Sequence, residues 1–344
     1  MILHLCTINK FIEPFYQFVK NNFADFDSNH EFYIEGLSDK YINPVGNNIF
    51  LAQNVKFINR YFWLTKQMNR ADKIILHGLW DMRVLMLLCI QPWLLKKCYW
   101  VIWGGDLYTY TPAKKNRRWW RNEILRRYAI KRFGHIITQV RGDYELARQW
   151  YAAKGVWHEC FMYPSNLYSE SPAKNTQHDG INILLGNSAD PSNNHIEALE
   201  KLRFSTTEKV HIYCPLSYGD AEHAKKVAHY GKNIFGENFN PLLEYMHFDD
   251  YQKLLAQIDI AVFNHRRQQG MGNITQLLGL GKSIYMRSDI TSWTFLKQIG
   301  VKVFDIKELD LNRLDQDEAI RNKKIISNYF SKNSLIKQLQ EIFN

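Results

Sequence analysis

The stretch INILLGNSADPSNNHIEALEKLRF, residues 181–204, holds one complete strand–turn–helix unit. Ile181–Leu185 is a short apolar run, and Gly186 ends it. Small polar residues follow, and His195–Phe204 then has the spacing of a helix. Gly186 allows close approach of the backbone. Ser192 or Asn193 can cap the helix, whose N-terminus attracts anions. A plain strand-to-helix turn with a good cap has the same form, and the GxGxxG spacing is absent.

The unit repeats outward in both directions. Lys209–Tyr213, Ile258–Phe263 and Ser283–Met286 read as strands, with helices over Ala221–Tyr230, Asp250–Gln257 and Ile274–Leu280. Upstream, strands are expected at Met1–Cys6, Glu31–Ile34, Lys73–Leu76, Tyr99–Trp103 and His135–Thr138. Helices are expected at Phe11–Asn22, Val55–Asn69, Met82–Ile90, Asn116–Arg132 and Asp143–Ala153. Such alternation means parallel sheets with crossover helices. At 344 residues the chain is long for one domain. The expectation is an α/β chain of two domains, residues 1–162 and 181–314, with sheets facing across a cleft. Residues 163–180, rich in Ser, Pro, Asn and Lys, read as a linker. The helical tail 315–344 is expected to pack back on the first domain.

Composition narrows the partners. Five scattered cysteines form no CxxC pair, which argues against a disulfide framework or a zinc site and suits a reducing compartment. No signal peptide is evident at the start. The longest apolar run, Val84–Ile90, is far too short for a membrane span. Residues 1–165 carry 23 Lys and Arg against 13 Asp and Glu, whereas the later half is balanced. The first half therefore suits a polyanion: anionic lipid, nucleic acid or a phosphorylated substrate. Lys114–Arg132 concentrates this charge, with Arg117, Arg118, Trp119, Trp120 and Arg121 as candidate contacts with an anionic bilayer. The same helix could instead cover a sheet with one face. No nucleic-acid module matches it.

Three further segments follow strands. In Asn264–Asn273, basic Arg266 and Arg267 precede Gln268, Gln269, Gly270, Met271, Gly272 and Asn273 at a helix start. Exposed N–H groups and guanidinium there suit a diphosphate. In Trp100–Tyr108, Asp106 stands past a strand end as a candidate general base or a turn cap. His77 follows another strand and could sit beside it, and Arg141 could reach a phosphate. Asp315-Gln316-Asp317 lies in the helix-like tail and not after a strand, which disfavours a metal-bridged nucleotide-sugar site. No metal and no cofactor are expected.

The combination resembles a known family. His77-Gly78, Ile102–Tyr108, Arg141–Asp143, Gly186–His195 and Arg267–Gly272 occur in the order seen in bacterial 4-acetamido-4,6-dideoxygalactose (Fuc4NAc) transferases of enterobacterial common antigen synthesis. That resemblance implies a metal-independent GT-B architecture. It also implies a dTDP-Fuc4NAc donor and an undecaprenyl-diphosphate-linked saccharide acceptor. The expected location is the cytoplasmic face of the inner membrane, peripherally held. By position, Gly186, Asn187, Ser188, Asn193 and His195 would line the donor side. Arg267, Gln268, Gln269, Gly270, Gly272 and Asn273 would surround the diphosphate, and Asp106 would be the base or an acceptor-binding carboxylate. A transferase with another nucleotide-sugar donor, or a non-catalytic nucleotide-binding protein, shares most of these features.

Overall fold

The computed structural model describes residues 1–36, 44–111, 115–170, 178–205 and 209–344. Residues 171–177 of the expected linker and Lys114 of the basic stretch lie outside them. The chain forms two compact units, Met1–Ser165 with Lys332–Asn344, and Asn166–Ser331.

The first unit runs β1 (Ile2–Thr7), α1 (Ile12–Asn22), α2 (Phe26–Asn29), β2 (His30–Glu35), β3 (Ile49–Leu51), α3 (Phe57–Arg70) and β4 (Lys73–His77). It continues through α4 (Met82–Ile90), β5 (Cys98–Val101), α5 (Arg117–Ile130), β6 (His135–Ile137), α6 (Arg141–Tyr151) and β7 (Val156–His158). Its seven strands are all parallel, in the order β3-β2-β1-β4-β5-β6-β7. The central strands are buried on both faces, as parallel strands must be when helices cover each side. Leu3, Leu5, Ile74, Leu76 and Trp100 point to one face. There they pack with Leu64 and Met68 of α3, Leu85 and Leu88 of α4, and Ala129 and Ile130 of α5. His4 points to the other face, stacked on Phe32 at 4.2 Å and edge-on to Phe343. Phe343 belongs to the last helix of the chain, and Lys73 Nζ donates to the carbonyls of Ile342 and Phe343 at 2.8 and 3.0 Å.

The second unit runs β8 (Ile181–Leu185), α7 (His195–Ser205), β9 (Val210–Pro215), α8 (Ala221–Phe235), β10 (Phe239–Leu242), α9 (Phe248–Gln257) and β11 (Ile260–Phe263). It ends with α10 (Met271–Gly279), β12 (Ser283–Met286), α11 (Thr291–Gln298), β13 (Phe304–Asp305) and α12 (Gln316–Tyr329); α13 (Lys332–Phe343) then returns to the first unit. Its six parallel strands are ordered β10-β9-β8-β11-β12-β13. Both sheets thus follow the doubly wound plan, and each reverses its strand order once: between β1 and β4, and between β8 and β11.

The elements missing from the sequence reading are β3, β7, β10, β13, α2 and α11. The four strands are the outer edges of the two sheets.

Tight packing also fixes the start of β6. Gly134 N–H donates to Leu95 O at 3.0 Å, and a Cβ on Gly134 would stand 1.8 Å from the Lys96 carbonyl oxygen. Gly134→Ala is expected to cost about 2 kcal/mol of stability by forcing this junction apart. An unchanged urea midpoint would show that the junction gives way freely.

Candidate active site

In the second unit the loops after β8 and β11 meet where the strand order reverses, the place where doubly wound sheets bind ligands. Gly186 has φ of +69°, and a Cβ there would come 2.7 Å from His195 Nε2 and 2.9 Å from Asn193 Oδ1. Only glycine fits. Asn187 N–H donates to Asn193 Oδ1 at 3.1 Å, and the Asn193 amide donates to Asp190 O at 2.9 Å. Ser188 is buried beneath them.

The second loop is tied to the first at several points. Arg267 Nη2 donates to Asp190 Oδ2 at 3.1 Å. Gln269 Nε2 donates to Asn187 Oδ1 at 3.0 Å, and Arg266 N–H donates to Ser192 O at 3.1 Å. The Ser192 hydroxyl lies 2.6 Å from Asp190 Oδ1 and 2.6 Å from Gln269 Oε1. Gly270 (φ +69°) then turns the chain into α10, with Gly272 in its first turn. The first N–H groups of that helix have no partner within it. Asn273 donates to Tyr251 Oη at 2.9 Å. The sequence-named Gly186, Asn187, Ser188, Asn193, His195, Arg267, Gln268, Gln269, Gly270, Gly272 and Asn273 thus occupy one pair of neighbouring loops and the helix start that follows.

Burial works to raise the Asp190 pKa, but the Ser192 donors and Arg267 outweigh it and hold Asp190 ionised. Burial pulls His195 down to about 4 and His265 to about 3, so both imidazoles are neutral. What remains is a cluster of amides, backbone N–H groups and the Asp190–Arg267 ion pair, whose guanidinium is only 18% exposed. Asp190, Ser192 and Tyr251 are as much a part of it as the residues named from sequence.

The first unit handles its carboxylate differently. Asp106 is only 1% exposed. Its Oδ1 accepts from the Trp103 and Leu107 N–H groups, each at 2.9 Å. Its Oδ2 accepts from Trp100 Nε1 at 2.8 Å and Leu79 N–H at 3.1 Å. Burial raises its pKa, and these four donors oppose the shift. Of the two roles expected for Asp106, the structure shows the turn cap, with a buried carboxylate that accepts from the Leu107 N–H. Asp106 staples the loop after β5 to the loop after β4.

His77 is equally enclosed. Its Nδ1 lies 2.7 Å from Tyr163 Oη and its Nε2 3.1 Å from His4 Nδ1. His4 continues to His30 at 2.9 Å, and Trp103 Nε1 donates to Tyr163 Oη at 2.9 Å. Burial drives His77 to about 3. Arg141 stands exposed at the start of α6, 3.8 Å from Glu145 and 5.4 Å over the Trp157 ring.

Two further carboxylates stand at this end of the sheet. A gap of about 20 Å³ lies where β1, β2 and β4 end, lined mostly by apolar side chains with Thr7, Glu35 and Asp81 among them. Glu35 accepts from Arg60 at 2.8 and 3.0 Å and from Tyr33 Oη at 2.7 Å. Asp81 Oδ1 caps α4, while its Oδ2 has no hydrogen-bond partner. Sequence reading missed both; the signal was an acidic residue just past each strand.

A family model described as 4-alpha-L-fucosyltransferase, glycosyl transferase group 56, matches residues 6–334. The chain belongs to this family. It is a glycosyltransferase, in agreement with the resemblance drawn from its motifs. The sugar-transferase fold is supported by whole-chain likeness to solved structures. WaaG, a glycosyltransferase involved in lipopolysaccharide biosynthesis, is 9% identical with a TM-score of 0.64, over 100% of this chain and 98% of that one. Anabaena HepE, solved with UDP and glucose, is 12% identical with a TM-score of 0.70, over 99% of both chains. The sucrose-phosphate synthase of Thermosynechococcus elongatus is 9% identical with a TM-score of 0.69, over 100% and 98%. The group 56 chain has the GT-B fold class.

Two outcomes follow from this geometry. Asp106→Asn places an amide among N–H donors and is expected to cost about 3 kcal/mol, read as a lower urea midpoint. A midpoint equal to wild type would remove Asp106 from the stapling role. The second concerns acid. His4, His30, His77, His195 and His265 are all held below 6.5 by burial, so the unfolded chain takes up protons that the native chain refuses. Stability is therefore full above about pH 6.5 and falls as pH drops toward 5. A urea midpoint independent of pH between 7 and 5 would contradict this.

Proposed function

We propose that this group 56 transferase moves Fuc4NAc, or a related dideoxy amino sugar, from a dTDP-sugar to an undecaprenyl-diphosphate-linked saccharide. The site of action would be the cytoplasmic face of the bacterial inner membrane, in surface polysaccharide synthesis. The observation that carries the nucleotide-sugar part is the double loop of the second unit. Its Asp190–Arg267 and Asn187–Gln269 ties hold a guanidinium and the start of α10 at the strand-order reversal. The motifs of the family resemblance support the donor and acceptor named here.

In this reading, the N–H groups of the first α10 turn and Arg267 stabilise charge on the departing diphosphate. The reaction breaks the bond between the sugar's anomeric carbon and the diphosphate oxygen. It forms a bond from that carbon to an acceptor hydroxyl oxygen, whose proton leaves. Asp81, whose Oδ2 is buried without a hydrogen-bond partner near the first unit's strand ends, would be the carboxylate to take that proton. Asp106 and His77 act by holding the loops around it. Arg141, exposed at the start of α6, would meet an acceptor phosphate.

A UDP-sugar donor is the second reading, favoured by the HepE complex with UDP and glucose. Calorimetric titration of the full chain with dTDP and UDP separates the two. Tight binding selective for dTDP is expected, and Arg267→Ala should weaken it about tenfold to a hundredfold. UDP selectivity would move the assignment to the second reading. Binding of neither would overturn the role of the double loop.

A further inference from the structure

We propose that the outer surface of the α3–α4–α5 layer is a docking face for an anionic lipid bilayer. Each of these helices turns one apolar i,i+4 pair to solvent. The pairs are Ile58 and Phe62 on α3 (80% and 75% exposed), Met86 and Ile90 on α4 (46% and 66%), and Trp120 and Ile124 on α5 (55% and 67%). That spacing puts both members of a pair on one side of their helix. Phe57 and Trp93 add to the same layer, 58% and 63% exposed. The opposite sides of the three helices already fill the core, through Leu64, Met68, Leu85, Leu88, Ala129 and Ile130. The outward pairs are therefore surplus to folding, and a patch of this size marks an interaction surface.

The layer is continuous. Asn69 of α3 donates to Gln91 Oε1 at 2.8 Å, and the Trp93 indole N–H donates to Asn69 Oδ1 at 3.0 Å. Cys89 of α4 contacts Leu125 O of α5 at 3.7 Å.

Charge chooses the partner. Residues 57–70, 82–97 and 115–132 hold fourteen Lys and Arg and a single acidic residue, Glu123. Glu123 is 1% exposed and faces Arg127 at 3.0 Å. The face thus presents aliphatic and indole groups among cations, with no carboxylate turned outward from these segments. Such a composition suits the headgroup and acyl boundary of an anionic leaflet.

The face also differs from the sequence expectation. Trp119 is half-buried, donating from Nε1 to Thr109 O at 2.7 Å, so α5 offers Trp120 and Ile124 instead of a tryptophan pair. The larger share lies on α3, α4 and Trp93, outside the basic stretch.

The assignment rests on the reading of a lipid-borne acceptor in naming a membrane, and its test reads lipid and nucleotide separately. The full chain is sedimented with phosphatidylcholine vesicles, with and without phosphatidylglycerol, and titrated with dTDP in parallel. Binding only to the anionic vesicles, weakened by salt, is expected. Ile58→Ser with Phe62→Ser, and Ile90→Ser with Trp93→Ser, should each lower partitioning about tenfold or more while dTDP binding is unchanged. Phe204→Ser, at an apolar site 79% exposed on α7, should leave both unchanged. Wild-type chain that binds dTDP but no vesicle would overturn the docking face alone, and loss of both would overturn the dTDP-donor reading too. Variants that bind vesicles like wild type would also overturn it. So would variants that instead turn a dimer into a monomer without lipid, since the face would then join copies of the chain.

Discussion

A parallel strand covered by helices on both faces has no side on which polar chemistry can sit. In this molecule the constraint applies twice, and it drives the reactive groups of each sheet to the strand ends. At the β8–β11 reversal the result is a set of amides around one ion pair. The Asp190–Arg267 contact joins loops that are 77 residues apart in sequence. With the Asn187–Gln269 and Ser192–Gln269 contacts, it brings the glycine turns at 186 and 270 side by side.

The first unit meets the same constraint with aromatic enclosure. Four N–H donors surround Asp106, two of them from a loop that the following residues would otherwise leave free. The imidazole line from His30 through His4 and His77 to Tyr163 breaks the rule that such sheets have apolar interiors. It survives because each ring passes a hydrogen bond to the next and stays neutral. The two units are therefore alike in topology and differ in what ties their strand-end loops together.

The central strands could be read from sequence because burial on both faces writes an unbroken apolar run, as in Ile181–Leu185 and Lys73–Leu76. The missed strands are the four sheet edges, where one side lacks a neighbour and burial no longer dictates composition. Phe239–Leu242 even contains Pro241, which an edge tolerates. In the candidate site, Gly186 and Gly270 were visible because a left-handed turn leaves a glycine in the sequence. Tyr251 was not singled out, and Asp190 and Ser192 entered only as part of the motif, since their roles depend on partners brought near only by the fold. Asp106 was found and its setting misjudged: the donors that enclose it are mostly backbone N–H groups, which no side-chain pattern reports. The apolar pairs on α3 and α4 likewise look like core positions until the helix faces are known.

The return of α13 to the first unit has a bearing on biosynthesis. Its Phe343 closes over His4 and His30, and its carbonyls receive Lys73. On the ribosome, all of Asn166–Ser331 is made between that sheet and its cover. The nascent first unit must wait with the part of β1 and β2 that α13 covers, beside Phe15 and Tyr16 of α1, still exposed while the second unit, contiguous in the chain, is free to collapse. The order of maturation is thus inverted relative to the order of synthesis, and the early sheet is the part that a chaperone would have reason to hold.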